Sequence, residues 1–414
     1  VTETLGDLYG MHWPYKQHKT SRNQKLLPYH EELKNEGACF GVVAGYERPM
    51  WFAKNGNKPK YEYSYNYQKW YPSAQHETIN TRKNVGLFDL TPFSKFDLKG
   101  PLAFSELQRL CTANIKSEKG KTTYTQMLNK DGGIEADLTV ACLDKEYFRI
   151  ISSAAVRERD KHHILKHLDP KVEFKDVTEN YACLGLFGPK SRSLMTEIAG
   201  DFFKTNDFPF ATGKEITIDN TKVWSQRLSY VGELGWELYM PTMKAKKIYE
   251  KIISNGKKYN LCNAGVHAMD ILRMEKGYLH WGHDISPEEN QYEANLNFAV
   301  SFKKGVNFIG KSALIKKKKE KVKKKLITLS LKNSTPGFPL LLHDEPIYLD
   351  GKIIGRTTSG NYSFVYKKNF AFGYVTTEEN LEKSDIEIEV EKKKYKAIIE
   401  LKPLHDFDNK IMKK

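Results

Sequence analysis

Apolar and polar positions alternate most clearly in the stretch RLSYVGELGWELYM, Arg227 to Met240. Two apolar and aromatic runs meet at Gly232 to Gly235, where glycines supply the backbone freedom that a tight turn requires. The pattern predicts a β-hairpin. After the turn, Glu237 and Tyr239 share one face of the second strand, and the other face is apolar, with Trp236, Leu238 and Met240. On the pattern alone, Glu237 faces solvent, as most acidic residues on half-buried strands do, or else a cleft.

A second hairpin is predicted around the turn Asp131-Gly132-Gly133 in TTYTQMLNKDGGIEADLTVACL. Beyond this turn, Asp137 shares a strand face with Glu135 and Thr139, and the opposite face is apolar, with Ile134, Ala136, Leu138 and Val140. Each hairpin therefore places a carboxylate a few residues beyond a glycine turn. A solvated strand face explains either carboxylate alone, but two such hairpins in one domain also fit a functional site.

Three regions differ in their patterns. Residues 1–72 combine a short amphipathic helix, ending at Gly37, with a segment rich in Trp, Tyr and Pro, which is typical of an arm that wraps over another surface. Residues 73–320 alternate helices and strands, and residues 326–414 contain short alternating strands typical of a small β-barrel. The predicted fold class is α+β: antiparallel sheets and helices around a central cleft, followed by a C-terminal β-barrel.

The chain has 414 residues and a formal net charge of +15. Much of the excess lies in one run, Lys316 to Lys319 with Lys321 and Lys323 to Lys325, which has no interleaved aromatic residues for base stacking. A solvated helix end or linker is therefore favoured over a nucleic-acid groove, although a positive field still attracts a polyanionic ligand. No apolar run approaches the roughly 18 to 20 residues of a membrane-spanning helix. We expect a soluble protein with neither a nucleic-acid nor a membrane partner.

The five cysteines are far apart and lie mostly in apolar contexts, without metal-ligand spacing. We expect buried thiols, a reducing compartment and no metal site. His280 and His283, which flank Trp281, are expected to make structural hydrogen bonds. The sequence contains neither G-x-G-x-x-G after a strand nor G-x-x-x-x-G-K-[ST], so it does not support a dinucleotide or nucleoside-triphosphate site.

From about residue 75 onward, a series of blocks resembles the folate-binding half of the dimethylglycine and sarcosine dehydrogenases, which is related to the aminomethyltransferase (T protein) of the glycine cleavage system. The blocks, in the family's order, are VGLFDLTPFSKF, YTQMLNKDGGIEADLTV, LGLFGPKSR, RLSYVGELGWELYM, LRMEKGYLHWGHDIS, EANLNFAV, FIGKSAL, GRTTSGNYS and FAFGYV. Several long blocks in one order are more specific than any single motif. Residues 1–72 resemble the connector by which those enzymes leave their flavin half.

The resemblance implies tetrahydrofolate as the cofactor, a catalytic aspartate at Asp137, and pterin contacts at Tyr230 and Glu237. A pterin edge presents an N–H and an NH2 group as parallel donors, and a carboxylate such as Glu237 accepts both. Asp137 would stand near N5 and N10 of folate and manage the proton lost when the amine attacks an iminium or formaldehyde carbon. Tyr124, in the hairpin of Asp137, is a ring-packing or hydrogen-bonding partner. The lysine excess suits the anionic glutamate tail of folate.

Two features depart from the family. Met269 stands where the simple T proteins have an arginine, and the flavin half is missing, so FAD is expected only on a missing or separate partner half. The implied function is capture of the carbon from an N-methylated glycine, or the derived iminium or formaldehyde, as 5,10-methylenetetrahydrofolate. The partner would be a flavin-dependent oxidase subunit, in the bacterial cytoplasm or the mitochondrial matrix.

Two other functions stay open. A stand-alone folate-dependent demethylase would move a methyl group from a sulfonium or amine substrate and yield 5-methyltetrahydrofolate. A non-catalytic folate-binding accessory protein ranks lower, because SYVGELGWE lacks the cysteine of the K-G-C-Y-x-G-Q-E signature of such relatives. Nucleic-acid binding ranks last.

Overall fold

The N-terminal region contains short helices and a two-stranded antiparallel hairpin. The structure is a computed structural model that describes residues 2–54, 56–377 and 385–414. The elements of this region are α1 (Thr2–Asp7), α2 (His30–Asn35), β1 (Ala38–Val43) and β2 (Tyr46–Phe52). Every residue of β2 is buried, so the hairpin is packed into the molecule.

The central region alternates helices and strands, as the sequence predicts. Its elements in chain order are α3 (Tyr71–Lys83), β3 (Val85–Asp89), β4 (Ser94–Lys99), α4 (Ala103–Leu110), β5 (Thr122–Leu128), β6 (Ile134–Asp144), β7 (Tyr147–Ser152), α5 (Arg157–His167), β8 (Glu173–Asp176), β9 (Tyr181–Phe187), α6 (Ser191–Ala199), β10 (Gly213–Ile218), β11 (Thr221–Gln226), β12 (Gly235–Pro241), α7 (Ala245–Gly256), β13 (Leu261–Ala264), α8 (Val266–Lys276) and α9 (Lys311–Lys319).

These strands form two sheets. One is five-stranded, in the order β5-β6-β7-β4-β8, and all its strand pairs are antiparallel. The other is six-stranded, in the order β10-β11-β12-β9-β3-β13, and only the β3–β13 pair is parallel. The largely antiparallel pairing and the mixture of helices and sheets confirm the α+β prediction.

Helices cover one face of each sheet, and the alternation of apolar residues decides which face. In the five-stranded sheet, Leu138 of β6 lies in one buried cluster with Leu107 of α4 and Ile164 of α5. In the six-stranded sheet, Trp236 and Leu238 of β12 lie in another cluster with helix α6 and helix α7 residues. Because strand side chains alternate between faces, Asp137 and Glu237 lie on the faces turned away from these helices.

The C-terminal region is a closed six-stranded β-barrel in the order β14-β17-β16-β15-β18-β19, as predicted. Alternating apolar side chains from its strands fill the barrel interior. The elements are β14 (Lys324–Leu331), β15 (Pro346–Leu349), β16 (Lys352–Ser363), β17 (Lys368–Thr376), β18 (Ile386–Val390), β19 (Lys393–Glu400) and α10 (Lys410–Lys413).

Hydrogen bonds from barrel residues to buried ion pairs join the barrel to the central region. Arg273 of α8 donates to Asp284 at 2.6 Å and to Ser359 of β16 at 2.8 Å, and Ser359 in turn donates to Asp284 at 2.7 Å. In a second network, Glu275 of α8 pairs with Arg82 of α3 at 2.7 Å and accepts from the Ser363 hydroxyl of β16 at 2.7 Å. Removing one partner of such a buried pair typically costs about 3–5 kcal/mol, because the other charge is left uncompensated. The joint therefore holds α8 firmly against the barrel.

Two parts of the sequence prediction need correction. The run Arg227 to Val231 is a loop rather than a strand, and the partner of β12 is β11, which ends at Gln226. Side chains of this run form hydrogen bonds to backbone carbonyls outside the sheet. The Arg227 guanidinium donates to the Phe208 carbonyl at 2.6 Å, and the Tyr230 hydroxyl donates to the Leu279 carbonyl at 3.0 Å. In the N-terminal region, the β1–β2 hairpin was not anticipated, because Trp, Tyr and Pro obscure its alternation.

Candidate functional site

The inner faces of the two sheets meet across a layer of apolar side chains, and the region between these faces corresponds to the cleft expected from the sequence. Ile151 of the five-stranded sheet packs in one buried cluster with Phe88, Phe187 and Tyr239 of the six-stranded sheet. Met269 of α8 joins the same cluster, and further rings, Phe93, Trp224 and Tyr230, pack against it while half-buried. Apolar walls of this kind strengthen the electrostatic interaction of any charged group placed between them.

Asp137 is half-buried on the inner face of β6. Directly opposite, on β5, the amide of Gln126 donates to Asp137 Oδ1 at 2.9 Å. Burial raises the pKa of Asp137 to about 6, against the lowering effects of hydrogen bonds from Gln126 and Tyr124. A carboxyl group with this pKa is ionised at neutral pH and can accept a proton without a large energetic cost.

Tyr124 lies next to Asp137 on the inner face of the same hairpin. Burial raises the pKa of its hydroxyl well above the ordinary value, and the charge of Asp137 raises it further. Its ring stacks on Phe298 with 6.1 Å between centroids. Phe298 is 73% exposed, which is unusual for a large aromatic side chain and leaves one ring face free for a ligand.

Glu237 lies on the inner face of β12, in register with Gln226 of β11 and Gly185 of β9. The Tyr239 hydroxyl donates to Glu237 Oε2 at 2.6 Å. Burial raises the pKa of Glu237 to about 7, and the hydrogen bond from Tyr239 lowers it in part. Within the described ranges, no cationic side chain forms an ion pair with Glu237 or with Asp137, so both are half-buried acids without a counter-charge.

Gln226 is a polar group that the sequence reading missed. Its Oε1 accepts from the indole N–H of Trp224 at 3.3 Å, and its Nε2 is buried with no hydrogen-bond partner. An indole nitrogen only donates, so this contact fixes the amide oxygen towards Trp224 and the amide nitrogen away from it. Both Gln126 and Gln226 could have been found from the register, because each stands directly across a hairpin from a candidate carboxylate.

Tyr230 connects the two halves of the cleft. Its ring stacks on Tyr278 at 6.1 Å, and its hydroxyl donates to the Leu279 carbonyl. Burial raises the pKa of Tyr230 above the ordinary value, and the charge of Asp137 is among the further causes. The charge of Asp137 therefore acts on both Tyr124 and Tyr230. Tyr230 also packs against the apolar cluster that contains Tyr239, the hydrogen-bond partner of Glu237.

Other polar clusters lie outside the cleft. His280 and His283 pack ring against ring at 4.7 Å, and the backbone N–H of His280 donates to Asp284 at 2.9 Å. In the described part of the chain, the atoms of Glu3, Asp7 and His18 lie close enough together to hold a metal ion. However, the carboxylate of Glu3 already accepts from the backbone of Lys19 and Thr20, which explains this group as a local turn.

Comparison with known proteins assigns the two sheets and the barrel to a family. The family model of the GCVT N-terminal domain matches residues 29–304, and the model of the glycine cleavage T-protein C-terminal barrel domain matches residues 324–406. The chain belongs to the glycine cleavage T-protein family. Membership supports folate-dependent one-carbon transfer as the reaction class and tetrahydrofolate as the ligand.

Individual relatives agree with this assignment. The chain is 36% identical to the 4-methylaminobutanoate oxidase (formaldehyde-forming) of Paenarthrobacter nicotinovorans, over 98% of this chain and 49% of the relative. It is 32% identical to human mitochondrial dimethylglycine dehydrogenase, over 92% of this chain and 44% of the relative. An aminomethyltransferase of Halothermothrix orenii is 34% identical over 74% of this chain and 84% of the relative.

The chain spans about half the length of the first two relatives, 49% and 44%. Its fold is that of the glycine cleavage system aminomethyltransferase T from Bartonella henselae, with a TM-score of 0.80, 23% identity, and coverage of 92% of this chain and 98% of that one. The resemblance and the fold predicted from sequence are thus confirmed. In residues 2–54, 56–377 and 385–414, no helix is both long and apolar enough to cross a membrane.

The hydrogen bond from Gln126 provides a direct test of how Asp137 is tuned. Gln126→Leu removes a donor to the ionised carboxylate, so we expect the pKa of Asp137 to rise from about 6. The rise should be about one to two units, since a hydrogen bond to a charged group contributes ~1.5–3 kcal/mol, and the existing bond from Tyr124 is retained. Carbon-13 NMR titration of aspartate carboxyl groups, assigned with Asp137→Asn, measures it. An unchanged titration curve would show that Gln126 does not act on this carboxylate.

Proposed function

We propose that this chain binds tetrahydrofolate in the cleft and transfers to it the carbon released from an oxidised dimethylglycine- or sarcosine-type amine, giving 5,10-methylenetetrahydrofolate. One observation supports the proposal: Asp137 and Glu237 are half-buried carboxylates on the inner faces of two sheets that pack against each other, and no described cation pairs with either of them. Buried charges are costly unless they are paired or hydrogen-bonded. A ligand with several N–H donors supplies the missing partners.

The residues present fit a pterin ring. Glu237 Oε2 is held by Tyr239, which orients the carboxylate and leaves acceptor capacity for the parallel N–H and NH2 donors of the pterin edge. The orphaned Nε2 of Gln226, in register with Glu237, is a donor suited to an acceptor beside that edge. Rings of Trp224 and Tyr230 supply flat apolar walls for the heterocycle.

Asp137 is the proposed proton acceptor. When bound, tetrahydrofolate supplies the amine nitrogens that attack the one-carbon unit. Gln126 fixes one oxygen of Asp137, and the carboxylate takes the proton that an attacking amine releases. With a pKa of about 6, Asp137 is mostly ionised at pH 7 and is ready to act as a base. The apolar lining keeps bulk water from competing for the reactive carbon.

The source of the carbon is proposed by analogy with the relatives. The two long relatives are an oxidase and a dehydrogenase of methylated amines, and this chain matches about half of each. We therefore propose a flavin-dependent oxidase, with FAD on a partner or on a further half, as the supplier of iminium or formaldehyde. The compartment would be a bacterial cytoplasm or a mitochondrial matrix. Regions 1–72, 73–320 and 326–414 would act as connector, folate domain and closing barrel.

The proposal is tested by titration and by product analysis. Calorimetric titration of the purified chain with tetrahydrofolate should show binding near one to one. Incubation with tetrahydrofolate and carbon-13 formaldehyde should form 5,10-methylenetetrahydrofolate faster than the uncatalysed condensation, as followed by NMR. The Asp137→Asn variant supplies the matched control. Formation of 5-methyltetrahydrofolate from a methylated donor would instead support the stand-alone demethylase, and binding without any acceleration would support the accessory protein.

A further inference from the structure

The Tyr230 loop, residues 227–234, connects β11 to β12, and none of its residues belongs to a strand. Because a loop outside a ladder lacks regular backbone pairing, its order depends on contacts with other elements. Gly232 in this loop has a φ of +78°, and a Cβ there would lie 2.7 Å from the Lys276 side chain of α8. The loop therefore packs closely against α8.

The C-terminal tail, residues 401–414, follows β19 and contacts this loop both directly and through α8. His405 is buried, and its Nε2 lies 2.9 Å from Oε1 of Glu233 in the loop. Asp406 pairs with Lys276 at 3.2 Å, and both side chains are almost fully buried. Because Lys276 also packs against the Tyr230 loop, the tail holds the loop at two neighbouring points.

The last turn of the tail, α10, makes two further contacts. The sulfur of Met412 accepts from the Tyr278 hydroxyl at 3.2 Å, and the ring of Tyr278 stacks on Tyr230. The main-chain oxygen of Lys414 accepts from the Arg227 guanidinium, at the start of the loop, at 2.9 Å. The tail therefore contacts both ends of the Tyr230 loop and, through Tyr278, the tyrosine at its centre.

Met412 is buried for a local reason. Its side chain is 4% exposed, whereas the neighbouring Ile411 is 39% exposed, so apolar character alone does not explain the burial. Among the described residues, Met412 is not part of the buried clusters that fill the two sheets and the barrel. Its contact therefore stabilises the joint between the tail and Tyr278 rather than a core of the fold.

We propose that the C-terminal tail is a clamp that positions Tyr230 for its ligand, and that Met412 acts on the cleft through Tyr278. This inference rests on the proposed function and deepens it by adding a positioning residue. A ring packs well against a flat ligand only in a defined orientation, and a loop that is already ordered loses less entropy on binding. The tail contacts do not include Asp137, so the clamp affects affinity and not the chemical step.

The test compares Met412→Ala with wild type in three measurements. Calorimetric titration should show tetrahydrofolate binding weakened roughly tenfold, because the loop must now be ordered at the expense of binding. The single-turnover rate at saturating tetrahydrofolate should stay within about twofold of wild type. Hydrogen exchange of the ligand-free chain, followed by mass spectrometry, should become faster in residues 227–234 and stay unchanged in β5 and β6.

Two variants serve as controls. Ile411→Ala removes an exposed apolar side chain from the same turn and should match wild type in all three measurements. Met412→Leu keeps most of the apolar packing and should recover affinity to within about threefold of wild type.

The outcomes separate the clamp from the proposed function. Wild-type affinity and wild-type exchange in Met412→Ala would overturn the clamp and leave the cleft proposal standing. Equal losses in Ile411→Ala would also overturn it, because the effect would then belong to the tail in general. If the folded wild-type chain binds no tetrahydrofolate, the proposed function fails, and the role of Met412 in binding fails with it.

Discussion

Glu237→Ala is expected to weaken tetrahydrofolate binding by at least about a hundredfold. The variant loses two hydrogen bonds to a charged acceptor, each contributing ~1.5–3 kcal/mol, and leaves two pterin donors unpaired in an apolar cleft. Each 1.4 kcal/mol corresponds to a factor of ten in the dissociation constant. Calorimetric titration at pH 8 measures the effect. Binding within threefold of wild type would mean that the pterin edge does not meet this residue.

Glu237→Gln is the matched control for this experiment. It keeps the shape of the side chain and the acceptor for Tyr239, but its amide pairs with only one of the two donors. In the wild type, binding needs the ionised carboxylate, so affinity should rise as pH increases through about 7 and then level off. The glutamine variant should lack this pH dependence.

The same pKa has a consequence for stability. The folded-state pKa of Glu237, about 7, lies above the ordinary value of 4.5. The ligand-free fold therefore holds this proton more tightly than the unfolded chain, and stability is lost as pH rises from about 4.5 through 7. Glu237→Gln should accordingly be more stable than wild type at pH 8 by thermal unfolding, and the advantage should largely disappear at pH 4. The acid is kept at a cost in stability, as expected for a group that serves binding.

Asp137→Asn is expected to reduce turnover by about a hundredfold to ten-thousandfold, the usual range for losing a general base. Asparagine has the size of aspartate and still accepts from Gln126, but it cannot take the proton of the attacking amine. The loss should fall on kcat rather than on the dissociation constant for tetrahydrofolate. Single-turnover product formation beside calorimetric titration separates the two quantities.

The pH profile supplies a second readout for Asp137. Because the base must be ionised, the wild-type rate should rise as pH increases through about 6. The asparagine variant should show a low rate without this limb. Full turnover in Asp137→Asn would assign proton transfer to another group, and an unchanged acidic limb with low turnover would show that a different residue titrates there.

Parts of the fold and site were predictable because they depend on local pattern. The Asp131-Gly132-Gly133 turn and strict alternation in β6 predicted both the hairpin and the face of Asp137. Several ordered blocks identified the family, which the domain matches confirm. The run Arg227 to Val231 was misassigned as a strand, since its polar side chains bond to carbonyls outside the sheet, as Arg227 does to Phe208 and Tyr230 to Leu279. The strand alternation alone favoured solvent for Glu237, because burial depends on what covers the strand.

The sequence by itself therefore determined the secondary structure of the strongly periodic segments, the C-terminal barrel and the family. It also determined which residues share a face with Asp137 on β6 and with Glu237 on β12. Only the tertiary structure decided that these two faces meet, that burial raises the pKa values of Asp137 and Glu237, and that Gln126 and Gln226 stand opposite them. The physical reason is that periodicity is a property of neighbours along the chain. Burial and electrostatic environment depend instead on residues far apart in sequence that packing brings together.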